Sequence, residues 1–181
     1  GIADITSFTT HKTLCGPRAA VLIMKNRELG EKIDKGVFPG EQGGPHMNTV
    51  SALALTFKLA GTPEFKKLQK QTLLNAKALA KGFEDNGVRV PYQGTDTHMC
   101  LIDCKGFKGP DGIPLNGDLG ARILDLVGIV ANRNTIPGDP SALRSTGIRF
   151  GTPWLTQRGF VEKDMVTIAE QVGKVFKATM P

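Results

Sequence analysis

Residues Thr9 to Arg18 read "TTHKTLCGPR", a histidine beside a lysine among hydroxyl side chains, and the runs on either side decide what they form. Before them, "ADITSF" (3–8) is a short strand-like run. After them, "AAVLIMK" (19–25) is nearly continuous in apolar residues, as expected for a strand buried on both faces. The decapeptide is therefore a loop between strands, with Gly16-Pro17 holding the chain.

Beyond the second strand, Asn26 can cap a helix to about Asp34. "FPGEQGGP" (38–45) is a Gly/Pro-rich loop leading into a helix over roughly Asn48 to Ala60. Thr62 then offers an N-cap with Pro63 at the first helical position. Phe65, Leu68, Thr72, Ala76, Leu79 and Phe83 recur at three- and four-residue steps, which predicts a long amphipathic helix ending near Asn86-Gly87. A short strand near Val88–Val90 and the strand "THMCLIDC" (97–104) follow, then the loop "KGFKGPDGIPLNG" (105–117). The next helix is expected to share Leu119, Ile123, Leu126 and Val127 on one face. "IVANRN" (129–134) reads as a strand, "TIPGDPSALRST" (135–146) as a loop and "GIRFGT" (147–152) as a final strand. A last helix starts at about Glu162, with Met165, Ile168, Ala169, Val172, Val175 and Phe176 facing the core. The class is α/β without internal repeats, divided into a piece spanning 1–61 and a smaller α/β domain spanning 62–181.

Composition bounds the function. The 181 residues suit one large domain, or one domain and part of another, at about 100–200 residues per domain. No apolar run approaches the ~20 residues that cross a bilayer, so a helical membrane protein is excluded. "GIADITSFTT" carries no secretory address, and the missing initiator Met leads to the expectation that something upstream has been removed. The net charge of +6 is spread among acids, as in "FKKLQKQ" and "RELGEKIDK", and is not interleaved with aromatics, which argues against a nucleic-acid partner. Three cysteines without a CxxC pair point to a reducing, cytoplasmic compartment. Cys100 and Cys104 are expected to pack on one strand face, and His11, His46 and His98 lack the spacing of a metal site.

Chemistry concentrates in the first loop. Imine formation needs an amine that can lose its proton, and a lysine partly removed from water beside His11 and Arg18 would suit that. By residue type alone, Gly43-Gly44 is a turn, Arg149 a solvated side chain and Asn134 a loop-capping residue; His46 and His98 are read as structural.

Four stretches, "TTHKTLCGPRAA", "VFPGEQGGPH", "ANRNTIPGDPS" and "GIRFGTPWLTQRGF", taken together and in this order, resemble the signature segments of serine hydroxymethyltransferase (glycine hydroxymethyltransferase). The resemblance runs essentially from end to end. It implies a fold-type I enzyme dependent on pyridoxal 5'-phosphate, of which this chain would be the C-terminal portion: part of the large cofactor-binding domain plus the small C-terminal α/β domain. On that resemblance, Lys12 matches the lysine of the internal aldimine and His11 the neighbouring histidine near the cofactor. Thr9 and Thr10 match the hydroxyls beside them, and Arg18 the arginine that helps order the site. Gly43 and Gly44 match a glycine pair whose backbone approaches the cofactor phosphate of a neighbouring subunit, where a missing Cβ gives room. Arg149 matches the arginine that holds the amino-acid carboxylate, a task suited to a planar fork. Asn134 and the stretch Ser141, Ala142 and Leu143 match a segment near the folate.

The implied activity is the reversible conversion of serine and tetrahydrofolate to glycine and 5,10-methylenetetrahydrofolate. Implied partners are a second copy or a tetramer with shared active sites, and the N-terminal segment that family members carry ahead of the "TTHK" loop. That segment holds further cofactor contacts, so this chain is expected to be a piece of the enzyme. Two alternatives stand beside this reading: a folate-independent aldolase acting on threonine or α-methylserine, and a non-catalytic module that binds a partner. "NRNTIPGDPS" and Arg149 favour the folate-dependent reaction.

Overall fold

The computed structural model describes residues 2–179. It divides into two compact units, Gly1–Lys67 and Leu68–Pro181. The expected boundary at 61/62 falls just before the helix Pro63–Asp85, which starts in the first unit and continues in the second.

The first unit opens with an antiparallel hairpin, β1 (Ile5–Thr9) and β2 (Ala20–Met24), paired from Ile5 opposite Met24 to Thr9 opposite Ala20. β2 is a strand as expected, but it is not buried on both faces. Leu22 and Ile23 are 40% and 56% exposed, because β1 is its only ladder partner among the described residues. Helix α1 (Arg27–Lys35) approaches it at Met24, whose Cε lies 3.6 Å from where a Cβ on Gly30 would stand. Asn26 caps α1 as read, accepting from the Leu29 N–H at 2.9 Å, and i,i+4 pairs Arg27–Glu31 and Lys32–Glu28 line its surface. Part of the expected loop at 38–45 is a helical turn instead, Gly36–Glu41, following α1 directly and kinked at Phe38. Helix α2 (Met47–Ala60) completes the unit.

Helix α3 (Pro63–Asp85) begins on the predicted cap, with Phe65 N–H donating to Thr62 Oγ1 at 3.2 Å, and ends at Gly87, whose φ of +77° is left-handed. Of its predicted stripe, Thr72, Ala76, Leu79 and Phe83 are buried, with Ala80 beside them, and Phe65 and Leu68 near its start are half-buried. The Val88–Val90 segment is not a strand. Both valines are buried, yet among the described residues the segment makes a single backbone bond to the sheet, Asp103 N–H to Arg89 O at 2.9 Å, beside the Arg89–Asp103 ion pair, before Pro91 removes a donor and the chain turns away.

The second unit is built on an antiparallel sheet of order β3 (Met99–Asp103), β5 (Gly147–Gly151), β4 (Asn132–Asn134). Period-two alternation sends Cys100, Ile102, Ile148 and Phe150 into a core closed by α3 and by α6 (Glu162–Thr179). Helix α6 buries Met165, Ala169, Val172 and Phe176 as predicted, with Ile168 and Val175 partly covered. The short helix α5 (Pro153–Gln157), with Pro153 in its first turn, was not anticipated.

Helix α4 (Gly117–Leu126) corrects the expected face. Leu119, Leu126 and Val127 are exposed, and the buried residues are Gly117, Gly120 and Leu124, with Ile123 at the edge of the core. The glycines explain it. A Cβ on Gly117 would stand 2.3 Å from Gly147 O, and one on Gly120 would stand 2.9 Å from Ile148 Cδ1. The helix seats its smallest side against the sheet, and a reading that follows large apolar residues selects the opposite one.

Candidate active site

In the first unit, the loop between β1 and β2 is tied to itself through Thr10, which is fully buried. Its N–H donates to Ala19 O at 3.0 Å, its hydroxyl to Pro17 O at 2.7 Å and Ala19 O at 3.0 Å, and its carbonyl accepts from Gly16 N–H at 2.8 Å. Gly16 is required by space: a Cβ there would come within 2.9 Å of Thr10 O and 2.8 Å of Thr56 Cγ2 on α2. A turn from Lys12 O to Cys15 N–H, with Cys15 at φ +60°, completes the loop.

This scaffold presents Lys12 outward and exposed, its side chain without a hydrogen bond or ion pair among the described residues. Half-buried His11 beside it has its Nδ1 buried and unpartnered. Thr9 closes β1 half-buried, and Arg18 is exposed. Thr10, expected beside the cofactor, spends its hydroxyl proton on holding the loop. Gly43 and Gly44 are exposed, and among the described residues a Cβ at either would meet nothing within 4 Å, so no close approach there calls for glycine.

The second unit carries an open cavity of about 780 Å³. Its floor follows from the sheet's alternation: Met99, Leu101, Arg149 and Asn134 share the face opposite the core. Lys77, Lys81 and Glu84 of α3 and the segment 91–97 form its sides. Arg149 is exposed and its guanidinium has no hydrogen bond or ion pair among the described residues. Asp96, the rim's other acid, is held by Lys77 at 3.7 Å. Asn134 donates to Thr135 O at 2.8 Å, which turns its amide oxygen loose. Ser141, Ala142 and Leu143 are exposed near the turn Ala142–Arg144 and are not part of this wall.

The sequence reading missed the rim. Tyr92, Gln93 and Gly94 adopt successive positive φ angles of 66°, 57° and 128°, unusual for two side-chain-bearing residues, and they set Tyr92 at the cavity's edge. The Pro-Tyr-Gln-Gly turn signal was visible, but its place beside Arg149 was not. His98, read as structural, accepts from Thr152 N–H at 3.1 Å through its backbone carbonyl, a bond that does not involve the imidazole. Its imidazole also feels the site: burial, and then the Arg149 charge, lower its pKa below the ordinary histidine value.

The lysine loop and the arginine cavity are thus two constellations, one in each unit, and of the cavity's lining only Asn134 and Arg149 belong to the four sequence stretches. The model of the family described as "Serine hydroxymethyltransferase" matches residues 1–172. This chain belongs to the serine hydroxymethyltransferase family. Among its relatives are the mitochondrial serine hydroxymethyltransferase of Schizosaccharomyces pombe, 45% identical over 98% of this chain and 38% of the relative. The serine hydroxymethyltransferase of Endomicrobium trichonymphae is 46% identical over 98% of this chain and 41% of the relative. A protein of Schizosaccharomyces pombe named as a probable cytosolic serine hydroxymethyltransferase is 40% identical over 95% of this chain and 38% of its own length. The chain therefore spans about two fifths of the length of these curated relatives of the serine hydroxymethyltransferase family.

Among the described residues, no group of three His, Cys, Asp or Glu side chains is placed to hold a metal ion, and no helix is long and apolar enough to cross a membrane. Cys100 and Cys104 are buried core residues as expected, but only Cys100 lies in the strand; Cys104 opens the helical turn Cys104–Gly106 that follows it.

Proposed function

We propose that this chain supplies the cofactor lysine and the carboxylate clamp of a glycine/serine hydroxymethyltransferase, which interconverts serine plus tetrahydrofolate and glycine plus 5,10-methylenetetrahydrofolate. The observation that carries the reading is Lys12: an unpaired lysine on a locked loop, next to a buried imidazole nitrogen with no partner.

Pyridoxal 5'-phosphate fits that donor set. Lys12 Nζ is free to take an aldehyde, and His11 Nδ1 lacks the hydrogen bond that a buried polar atom requires. Thr9 and Arg18 would flank it from the same loop, whose shape Thr10 holds from beneath, and Gly43 and Gly44 would offer open backbone to the phosphate of a neighbouring subunit's cofactor. When bound, the cofactor supplies an electron sink for breaking the bond between Cα and Cβ of serine. Arg149 binds the serine carboxylate with two parallel N–H donors, which fixes the orientation of that bond. Asn134 offers an amide to the folate, with Ser141, Ala142 and Leu143 outside the cavity wall.

On this reading residues 1–61 are the C-terminal part of a large cofactor-binding domain of fold-type I, and residues 62–181 its small C-terminal domain. The remaining three fifths of a relative's length would cover the apolar side chains exposed on the first unit, Ile5, Leu22, Ile23, Leu55 and Phe57 among them. A homodimer or tetramer with shared active sites follows from the same reading. Three unpaired cysteines support a reducing compartment such as the cytoplasm.

The test is incubation with pyridoxal 5'-phosphate, borohydride reduction and intact-mass measurement. A single adduct on Lys12 that disappears in Lys12→Ala is expected. Scattered adducts unchanged by Lys12→Ala would overturn the reading.

A further inference from the structure

Asn134 and Arg149 stand at the two ends of a long connection, residues 135–146, between β4 and β5. The ladder that pairs Asn134 with Gly147 brings its ends together, and a connection of that length, rich in Gly and Pro, calls for internal ties of its own beyond that short ladder. One side chain provides them. The Asp139 carboxylate accepts from Ile136 N–H at 2.9 Å, from Thr146 N–H at 2.9 Å and from the Thr146 hydroxyl. Asp139 N–H returns a bond to Ile136 O at 3.1 Å.

Both tied residues are seated on the core. Ile136 is 5% exposed and lies against Gly147. Thr146 O accepts from Cys104 N–H at 3.0 Å, and the neighbouring Ser145 O accepts from Gly117 N–H at 3.0 Å, which fastens this end to β3 and α4. Ile136 follows Asn134 by two residues, and Thr146 precedes Arg149 by three. We propose that Asp139 is a positioning residue for the ligand cavity: by clasping Ile136 to Thr146 it fixes where Asn134 and Arg149 stand relative to each other. The proposal rests on the reading of Arg149 as the carboxylate clamp. Two N–H groups and a hydroxyl lose their acceptor together when this carboxylate is removed, which leaves the three-residue ladder of β4 on β5 to hold Asn134 beside Arg149 without the clasp.

The test uses the 181-residue chain, nitrogen-15 labelled, with the side-chain resonances of Arg149 Nε and Asn134 Nδ2 followed by NMR in the ligand-free state and during titration with L-serine. Asp139→Ala and Thr146→Val are expected to move both resonances without ligand and to weaken serine binding by about tenfold or more, the scale of a small misplacement in a site. Thr146→Ser, which keeps the hydroxyl, is expected to leave both at their wild-type positions. Asn75, buried elsewhere in the same unit, is the internal control and stays unmoved. A lowered melting temperature for Asp139→Ala with Arg149 and Asn134 resonances unchanged would overturn the proposal, leaving Asp139 a mere loop stabiliser. If Asp139→Ala does not fold, the comparison of Thr146→Val with Thr146→Ser decides in the same way. Failure of the wild-type chain to bind serine would count against the Arg149 reading, while the ligand-free shifts still decide the role of Asp139.

Discussion

Gly147 lies so close to Ile136 that a Cβ added to the glycine would stand 2.3 Å from Ile136 Cγ2. The same atom would stand 2.8 Å from Asn134 O and 3.1 Å from Ile102 O, neither of which can rotate away. Gly147→Ala is therefore expected to destabilise the chain by about 1–3 kcal/mol through overpacking. Urea unfolding measures this, and an unchanged midpoint would show that the strands spread without cost.

Asn75 is fully buried on α3 and donates at 2.9 Å to both Thr156 Oγ1 and Phe160 O. Asn75→Ala strands those acceptors and should cost about 1–3 kcal/mol in the same assay. Asn75→Asp should lose stability at neutral pH and regain part of it on acidification, because only the protonated carboxyl can donate. A stability difference from wild type that does not depend on pH would refute this account.

The lowered pKa of His98 fixes the sign of a pH effect. A group whose folded pKa lies below its unfolded value contributes stability that is fully present above the unfolded value and is lost as pH falls through the folded one. NMR titration should place His98 below the ordinary histidine value. Since the Arg149 charge is one cause, saturating L-serine, whose carboxylate offsets that charge, should raise the His98 pKa, and Arg149→Gln should raise it without ligand. A His98 titration indifferent to both would separate the imidazole from the cavity.

Burial pushes the thiols of Cys100 and Cys104 up to about 12, and neither is open to solvent. Only Cys15 is exposed, with its own thiol raised by partial burial. Iodoacetamide should thus modify the folded chain once, slowly and at Cys15, and the unfolded chain at all three cysteines. Early labelling of Cys100 would mean that the β3 edge opens readily.

Amide exchange should distinguish the two units. The β1–β2 ladder, a two-stranded ribbon with exposed apolar side chains, is expected to exchange rapidly, while β3, β5 and α6, which border the buried core, exchange slowly. Equal protection throughout would contradict this.

Legibility in the sequence followed the physics of each signal. Caps and stripes survived: Asn26, Thr62 and the α6 pattern act through local bonds or through large buried side chains that periodicity detects. Readings failed where a partner had to be known. "AAVLIM" predicts a strand correctly, but its burial depends on neighbours that the sequence of the strand does not specify. The α4 face was misjudged because glycines, which carry no hydrophobic signal, make the contact. Family resemblance is what singled out Lys12 and Arg149 as candidates, and strand alternation is enough to put Arg149 on the face opposite Ile148 and Phe150. Nothing in the local pattern connects Tyr92 or His98 with Arg149, since that juxtaposition exists only across the folded sheet.

The alternation within β5 carries a consequence for heredity. Ile148 and Phe150 anchor the strand in the core while Arg149, between them, faces the cavity. Losing or gaining one codon in that strand would turn the guanidinium inward and expel two large apolar side chains, so such an allele would be removed as a folding defect before its effect on ligand binding could matter. The gene can therefore drift in length between strands far more easily than within this one, and the direction of the arginine is preserved by selection on the core.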